Sequence, residues 1–161
     1  MEWDCIKFSK ITEAVEIIFQ PSTRAISSNF VSVPFVSQGD EYAICWAACI
    51  ASAVNHFKST NYTALNIADN SVCGRNPAYD NQIVDTLNRY LMITDGAHVG
   101  TLNFQTFMQD IEGSRVSILN LQISGVGAHY VLAYGYMYND STGKQTLYYM
   151  EPTSGFKTTQ N

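Results

Sequence analysis

The chain is 161 residues long, 46 % apolar and only 14 % charged, with a formal net charge of −5. That length fits one domain, large enough to bury a core without a disulfide framework. The acidic balance and the lack of any Lys/Arg cluster argue against a nucleic-acid partner, and no apolar run nears the roughly 18 residues of a membrane helix. No signal peptide opens the sequence, since Met1 leads straight into Glu2-Trp3-Asp4. Two readings follow: a secreted or cell-surface protein whose leader has been removed, or a cytoplasmic one. The hydroxyl- and amide-rich, weakly charged composition leans towards the first.

Residues 1–30 stand apart. "ITEAVEIIFQ" (11–20) carries Ile11, Ala14, Val15 and Ile18 at helical spacing, and Pro21 stops it. "STRAISSN" (22–29) reads as a polar linker. The segment is either an N-terminal arm packed on the domain or the remnant of a prosegment, and residues 31–161 form the domain proper. "FVSVPFVSQ" (30–38) is an extended run bent at Pro34. A helix is expected from Cys45 to Phe57, its alanines keeping it slim.

A short helix fits 62–70, capped by Asn61 or Thr63. An amphipathic one fits 80–92, with Ile83, Val84, Leu87 and Leu91 on one face and Asp80 as its cap. "NFQTFMQDIEG" (103–113) repeats the pattern and ends at Gly113. The character then changes. Residues 115–123, 128–138 and 144–151 are rich in β-branched and aromatic side chains, with turn residues between them, and 155–160 adds an edge strand. Helices first and an antiparallel sheet second make an α+β fold.

The four cysteines (Cys5, Cys45, Cys49, Cys73) form no CxxC pair and no zinc-ligand spacing, so neither a metal nor another cofactor is expected. Cys45 is different because it opens a helix. The positive end of a helix dipole favours a thiolate, the reactive form of cysteine. A thiolate also needs a histidine that takes its proton. His56 sits eleven residues down the same helix, about 16 Å along the axis, out of reach. His98 lies in a glycine-flanked loop, "TDGAHVGT". His129 enters a strand from a glycine-rich loop, where a sheet can aim an imidazole across a cleft. Glu151, between a strand and Pro152, is placed to orient that imidazole; Asn120 and Gln122 on the preceding strand are the fallback acceptors. Gln38, seven residues before Cys45, could join the Cys45 backbone N–H around an oxyanion.

Gln38, Cys45-Trp46-Ala47-Ala48, Gly127-Ala128-His129 with its Tyr- and Gly-containing strand, and an acidic residue before Pro152 together resemble the papain-like cysteine peptidases. Within them the pattern is most similar to the compact bacterial C39-like group, related to the staphopain and AvrRpt2-type peptidases, and it runs from Val31 to Gly155. The resemblance implies a papain-like fold, with a helical half packed on an antiparallel sheet, and a monomer that hydrolyses protein or peptide substrates through a thioester. It implies Cys45 as nucleophile, His129 as general base and acid, Gln38 in the oxyanion hole, and Glu151 in place of the usual Asp or Asn. The Gln-to-Cys gap is one residue longer than in papain-type enzymes. A transglutaminase-like acyl transferase and an inactive peptidase fold used for binding remain as alternatives. Cys49, one turn beyond Cys45, is either a small buried residue or half of a disulfide to Cys73, and Cys5 is expected to be unpaired.

Overall fold

The computed structural model describes residues 4–7, 26–92, 98–101, 103–123 and 127–160. Helix and strand are mixed in the order β1 (Asp4–Lys7), β2 (Ile26–Phe30), α1 (Cys45–Lys58), α2 (Ala64–Asp69), α3 (Asp80–Leu91), β3 (His98–Thr101), α4 (Phe104–Glu112), β4 (Ser117–Ile123), β5 (Gly127–Asn139), β6 (Lys144–Glu151) and β7 (Gly155–Gln160). Every strand pairing among the described residues is antiparallel, in the order β3-β1-β4-β5-β6-β7. β5 is long enough to take two partners along one edge. Its first half pairs with β4 and its second half with β2. Between the halves the β5–β6 register slips at Ala133/Gly135. Gly135 is needed there because the Phe30 ring lies where a Cβ would stand.

The helices-first, sheet-second order is corrected in two places. β1 and β2 precede the helices and β3 interrupts them, yet all three belong to the sheet. Both described stretches of the first thirty residues are therefore strands, and the "linker" 22–29 becomes β2 from Ile26 onward. Its Ser27-Ser28-Asn29 centre carries no apolar alternation because the strand is half-exposed along its whole length. β3 is four residues with a glycine among them, too short for a period of two to register. The helix expected over 11–20 lies outside the described residues.

The helices form where the periodicity put them, and their ends follow local chemistry. Thr63 caps α2, accepting from Asn66 N at 3.1 Å while Asn66 Oδ1 accepts from Thr63 N at 2.9 Å. Asn103 caps α4 through Thr106 N at 3.1 Å. Asp80 does not cap α3. Tyr79 holds that position, donating its N–H to Gln82 Oε1 at 2.9 Å, and Asp80 is the first helical residue. α1 is buried all round from Cys45 to Asn55, which its Ala, Cys and Ser side chains permit. It packs on α2, on α3 and on β5. Cys49 and Cys73 are buried free thiols, so the tie from helix to loop is not made; Cys49 is the small core residue of the other reading. The side chain of Cys5 lies outside the described residues.

Candidate active site

The site forms where the N-terminus of α1 meets the start of β5 and the end of β6. Its approach is set by the extended run 31–38. Val31, Val33, Val36 and Gln38 are buried, with two exposed residues in succession at Pro34-Phe35. That is the alternation of a strand, with one phase slip at the proline bend. The run is tied to the sheet by Val31 N donating to Tyr134 O at 2.8 Å and Gln38 N donating to Pro152 O at 3.1 Å. Gln38 therefore points inward beside Cys45.

α1 begins without a side-chain cap and without an acidic residue in its first turn. The N–H of Cys45 has no acceptor within the helix, and the positive end of the helix is left facing the cleft. Trp46, fully buried, fixes this end by donating its indole N–H to Asn76 O at 3.0 Å. The cleft holds about 580 Å³ and is lined by Gln38, Cys45, His129 and Glu151 together, with Tyr42, Ala43, Pro77 and Ala78 along its wall. Four residues spread from position 38 to position 151 are thus brought to one cleft.

His129 and Glu151 form the tightest contact: His129 Nε2 lies 2.7 Å from Glu151 Oε1, with both side chains about 15 % exposed. Oε1 also accepts from Thr153 N at 3.2 Å and Thr153 Oγ1 at 3.0 Å, so three donors converge on one carboxylate oxygen. With Nε2 taken, Nδ1 is the nitrogen left for the sulfur. The hydrogen bond to Cys45, then that to Glu151, push the imidazole up to about 9 against the opposing effect of burial. Both bonds favour the charged form of the ring, which is the state that supports a thiolate beside it. One turn further along α1, the Cys49 thiol is driven well up, first by burial and then by the charge of Cys45 and Glu151. Of the two thiols on this face, it is the inert one.

The fallback acceptors are engaged elsewhere. Gln122 Nε2 donates to Asn120 Oδ1 at 3.0 Å, and Asn120 Nδ2 reaches Asp80 Oδ1 at 3.3 Å. His56 lies near the far end of α1, edge-on to Phe57. His98 opens β3, and its side chain lies outside the described residues. Gln38 is in the cleft wall and 4 % exposed. Its Nε2 donates to Glu41 O at 2.9 Å, which holds the amide in place and leaves one N–H uncommitted. Its Oε1 is buried without a partner among the described residues.

Two groups at the site had no signal in the sequence. Thr153 acts through a turn that only the β6–β7 register defines. Tyr130, the residue after His129, donates its backbone N–H to Cys45 Sγ at 3.5 Å. A backbone donor has no residue type to betray it. Comparisons with family models, curated proteins and solved structures find no match to this chain, so the functional reading rests on the site's own geometry.

Proposed function

We propose that this chain is a cysteine peptidase with a papain-like arrangement. The observation that supports it is the Cys45–His129–Glu151 row at an open cleft: a thiol at an uncapped helix N-terminus, an imidazole held charged beside it, and a carboxylate bonded to the far ring nitrogen. In the reaction the Cys45 thiol has given its proton to His129, and the resulting thiolate attacks the carbonyl carbon of a peptide. The negative oxygen that forms is met by the Cys45 N–H and the free N–H of Gln38. His129 passes its proton to the departing amine, the C–N bond breaks, and a thioester remains on Cys45. His129, now neutral, takes a proton from water; the hydroxide attacks the thioester, and the carboxylic acid product leaves as the C–S bond breaks and the thiolate–imidazolium pair is restored. Glu151 keeps the ring oriented and stabilises its charged form without itself taking the proton.

The test is labelling with a peptidyl epoxide, mapped by mass spectrometry, together with turnover of a fluorogenic peptide library. Wild type should be labelled at Cys45 and not at Cys49 or Cys73, and should release new peptide N-termini. Cys45→Ser should fold with the same circular dichroism and melting temperature and lose hydrolysis. Turnover by Cys45→Ser within tenfold of wild type would move the nucleophile elsewhere. Incorporation of an added primary amine in place of water would reassign the same three residues to acyl transfer.

A further inference from the structure

Tyr130 is held at both ends. Its backbone N–H donates to Cys45 Sγ at 3.5 Å, and its phenol donates to Asp80 Oδ1 at 2.6 Å. Asn120 Nδ2 donates to the same phenol oxygen at 3.2 Å and to Asp80 Oδ1 at 3.3 Å, and Ala78 O lies 3.3 Å from the hydroxyl. The ring between these ends is buried, at 3 % exposure. Three chain segments meet here: the first turn of α3, β4 and β5.

A strut at this point has a mechanical reason. The β5–β6 pairing begins only at Leu132↔Met150, whereas β4 pairs with β5 from Gly127 onward. At His129 and Tyr130 the strand is therefore laddered on one side alone. Those two residues place the imidazole and a donor to the sulfur, so the least supported stretch of β5 carries the reacting groups. A buried phenol needs some acceptor, and the Ala78 carbonyl alone would meet that need. The carboxylate of Asp80 does more, because a charged acceptor makes a shorter and stronger bond.

We infer that the Asp80–Tyr130 pair, braced by Asn120, is a positioning device that sets the Cys45 sulfur and the His129 imidazole in register. Neither side chain reacts; each acts through the backbone of β5. The role in turnover rests on the peptidase reading, but the positioning itself is read on the thiol alone.

The experiment measures three things on Tyr130→Phe, Asp80→Asn, Asp80→Ala and the Tyr130→Phe/Asp80→Ala pair. They are the rate of Cys45 alkylation by iodoacetamide at pH 7, resolved by site; kcat and KM on a cleaved peptide; and the melting temperature. Tyr130→Phe should slow alkylation and kcat together by about tenfold, the size of one hydrogen bond to a charged acceptor, with KM within twofold. Asp80→Ala should match it, and the double variant should be no worse than either. Asp80→Asn keeps an acceptor oxygen and should recover most of the loss. A fall in melting temperature with alkylation and kcat unchanged would reduce the pair to a structural tie and overturn the inference. Losses that add in the double variant would overturn it as well. If Tyr130→Phe does not fold, the Asp80→Asn and Asp80→Ala comparison decides by the same readouts. A wild-type protein that is alkylated at Cys45 but cleaves no peptide would sink the peptidase reading, and the alkylation rates would still decide the positioning.

Discussion

Replacing Glu151 by Gln separates charge from geometry at the third member of the row. Three donors converge on Oε1, and a glutamine can present its amide oxygen to all three, so the ring should stay in place. What is lost is the negative charge. A hydrogen bond to a charged partner is worth about 1.5–3 kcal/mol and a neutral one about 0.5–1.5 kcal/mol, so the difference is about 1–1.5 kcal/mol. If the transition state feels that difference in full, kcat/KM should fall roughly 5- to 13-fold. The same loss should lower the His129 titration midpoint from about 9 towards its ordinary 6.5, because one of the two bonds that raise it has lost its charge. Nuclear magnetic resonance of the imidazole carbon reads the midpoint directly, and a progress curve on a cleaved peptide reads the rate. Glu151→Ala removes the acceptor too and should cost more, since it leaves a buried ring N–H unpaired. Glu151→Asp withdraws the oxygen by one carbon–carbon bond, about 1.5 Å, stretching the 2.7 Å contact beyond hydrogen-bond range unless the backbone follows. A midpoint that stays at 9 in Glu151→Gln would refute the role given to the carboxylate, whatever happens to the rate.

Three further outcomes are expected. The His129 pKa is raised on folding, so its contribution to stability is complete below pH 6.5 and is lost as pH rises through 9; thermal midpoints should fall across that window, and the fall should be absent in His129→Ala. Gln38→Ala removes one oxyanion donor and should lower kcat by about a hundredfold, with the melting temperature followed to separate out the lost bond to Glu41. Gly135→Ala drives a Cβ into the Phe30 ring and should cost about 1–3 kcal/mol in urea unfolding. Phe30 is half-exposed, so adding Phe30→Ala should restore most of that loss; if it does not, the clash is with the Asn29 backbone carbonyl instead.

What the sequence reveals here follows from what repeats. α3 and α4 carry their apolar residues at helical spacing, α1 is a run of small and apolar residues too long for a strand, and β5 and β6 carry dense aromatic and β-branched runs, so pattern and composition place them within a few residues. β2 and β3 fail the same test because a half-exposed or four-residue strand has no period to display. Asp80 shows a subtler limit. Its type and place suit a helix cap, but the Tyr130 phenol claims the carboxylate across the fold, and the cap falls to Tyr79. At the candidate site, Cys45, His129, Glu151 and Gln38 are visible because the proposed nucleophile, base, orienting acid and oxyanion amide each need a particular side chain. The Tyr130 N–H is invisible for the opposite reason, since any residue but proline could supply it.

The seat of β1 has a consequence for how the molecule comes together in time. β4, β5, β6 and β7 follow one another along the chain and pair in that order, so each can pair with the strand just before it. β1 lies between β3 and β4, and the residues it pairs with are 98–101 and 117–120. It leaves the ribosome before them, yet it has nothing to pair with until β3 exists, and its second partner comes later still. Closing such long loops costs entropy before any contact repays it, so the seating of β1 is expected to come after the hairpins. Until β1 arrives, the outer edge of β4 offers an open row of N–H and C=O groups to any other strand, including that of a second nascent chain. β4 is also the sole ladder under His129 and Tyr130. A chain that has completed its hairpins but not yet seated β1 would therefore show most of its strand signal while its thiol still reacted slowly.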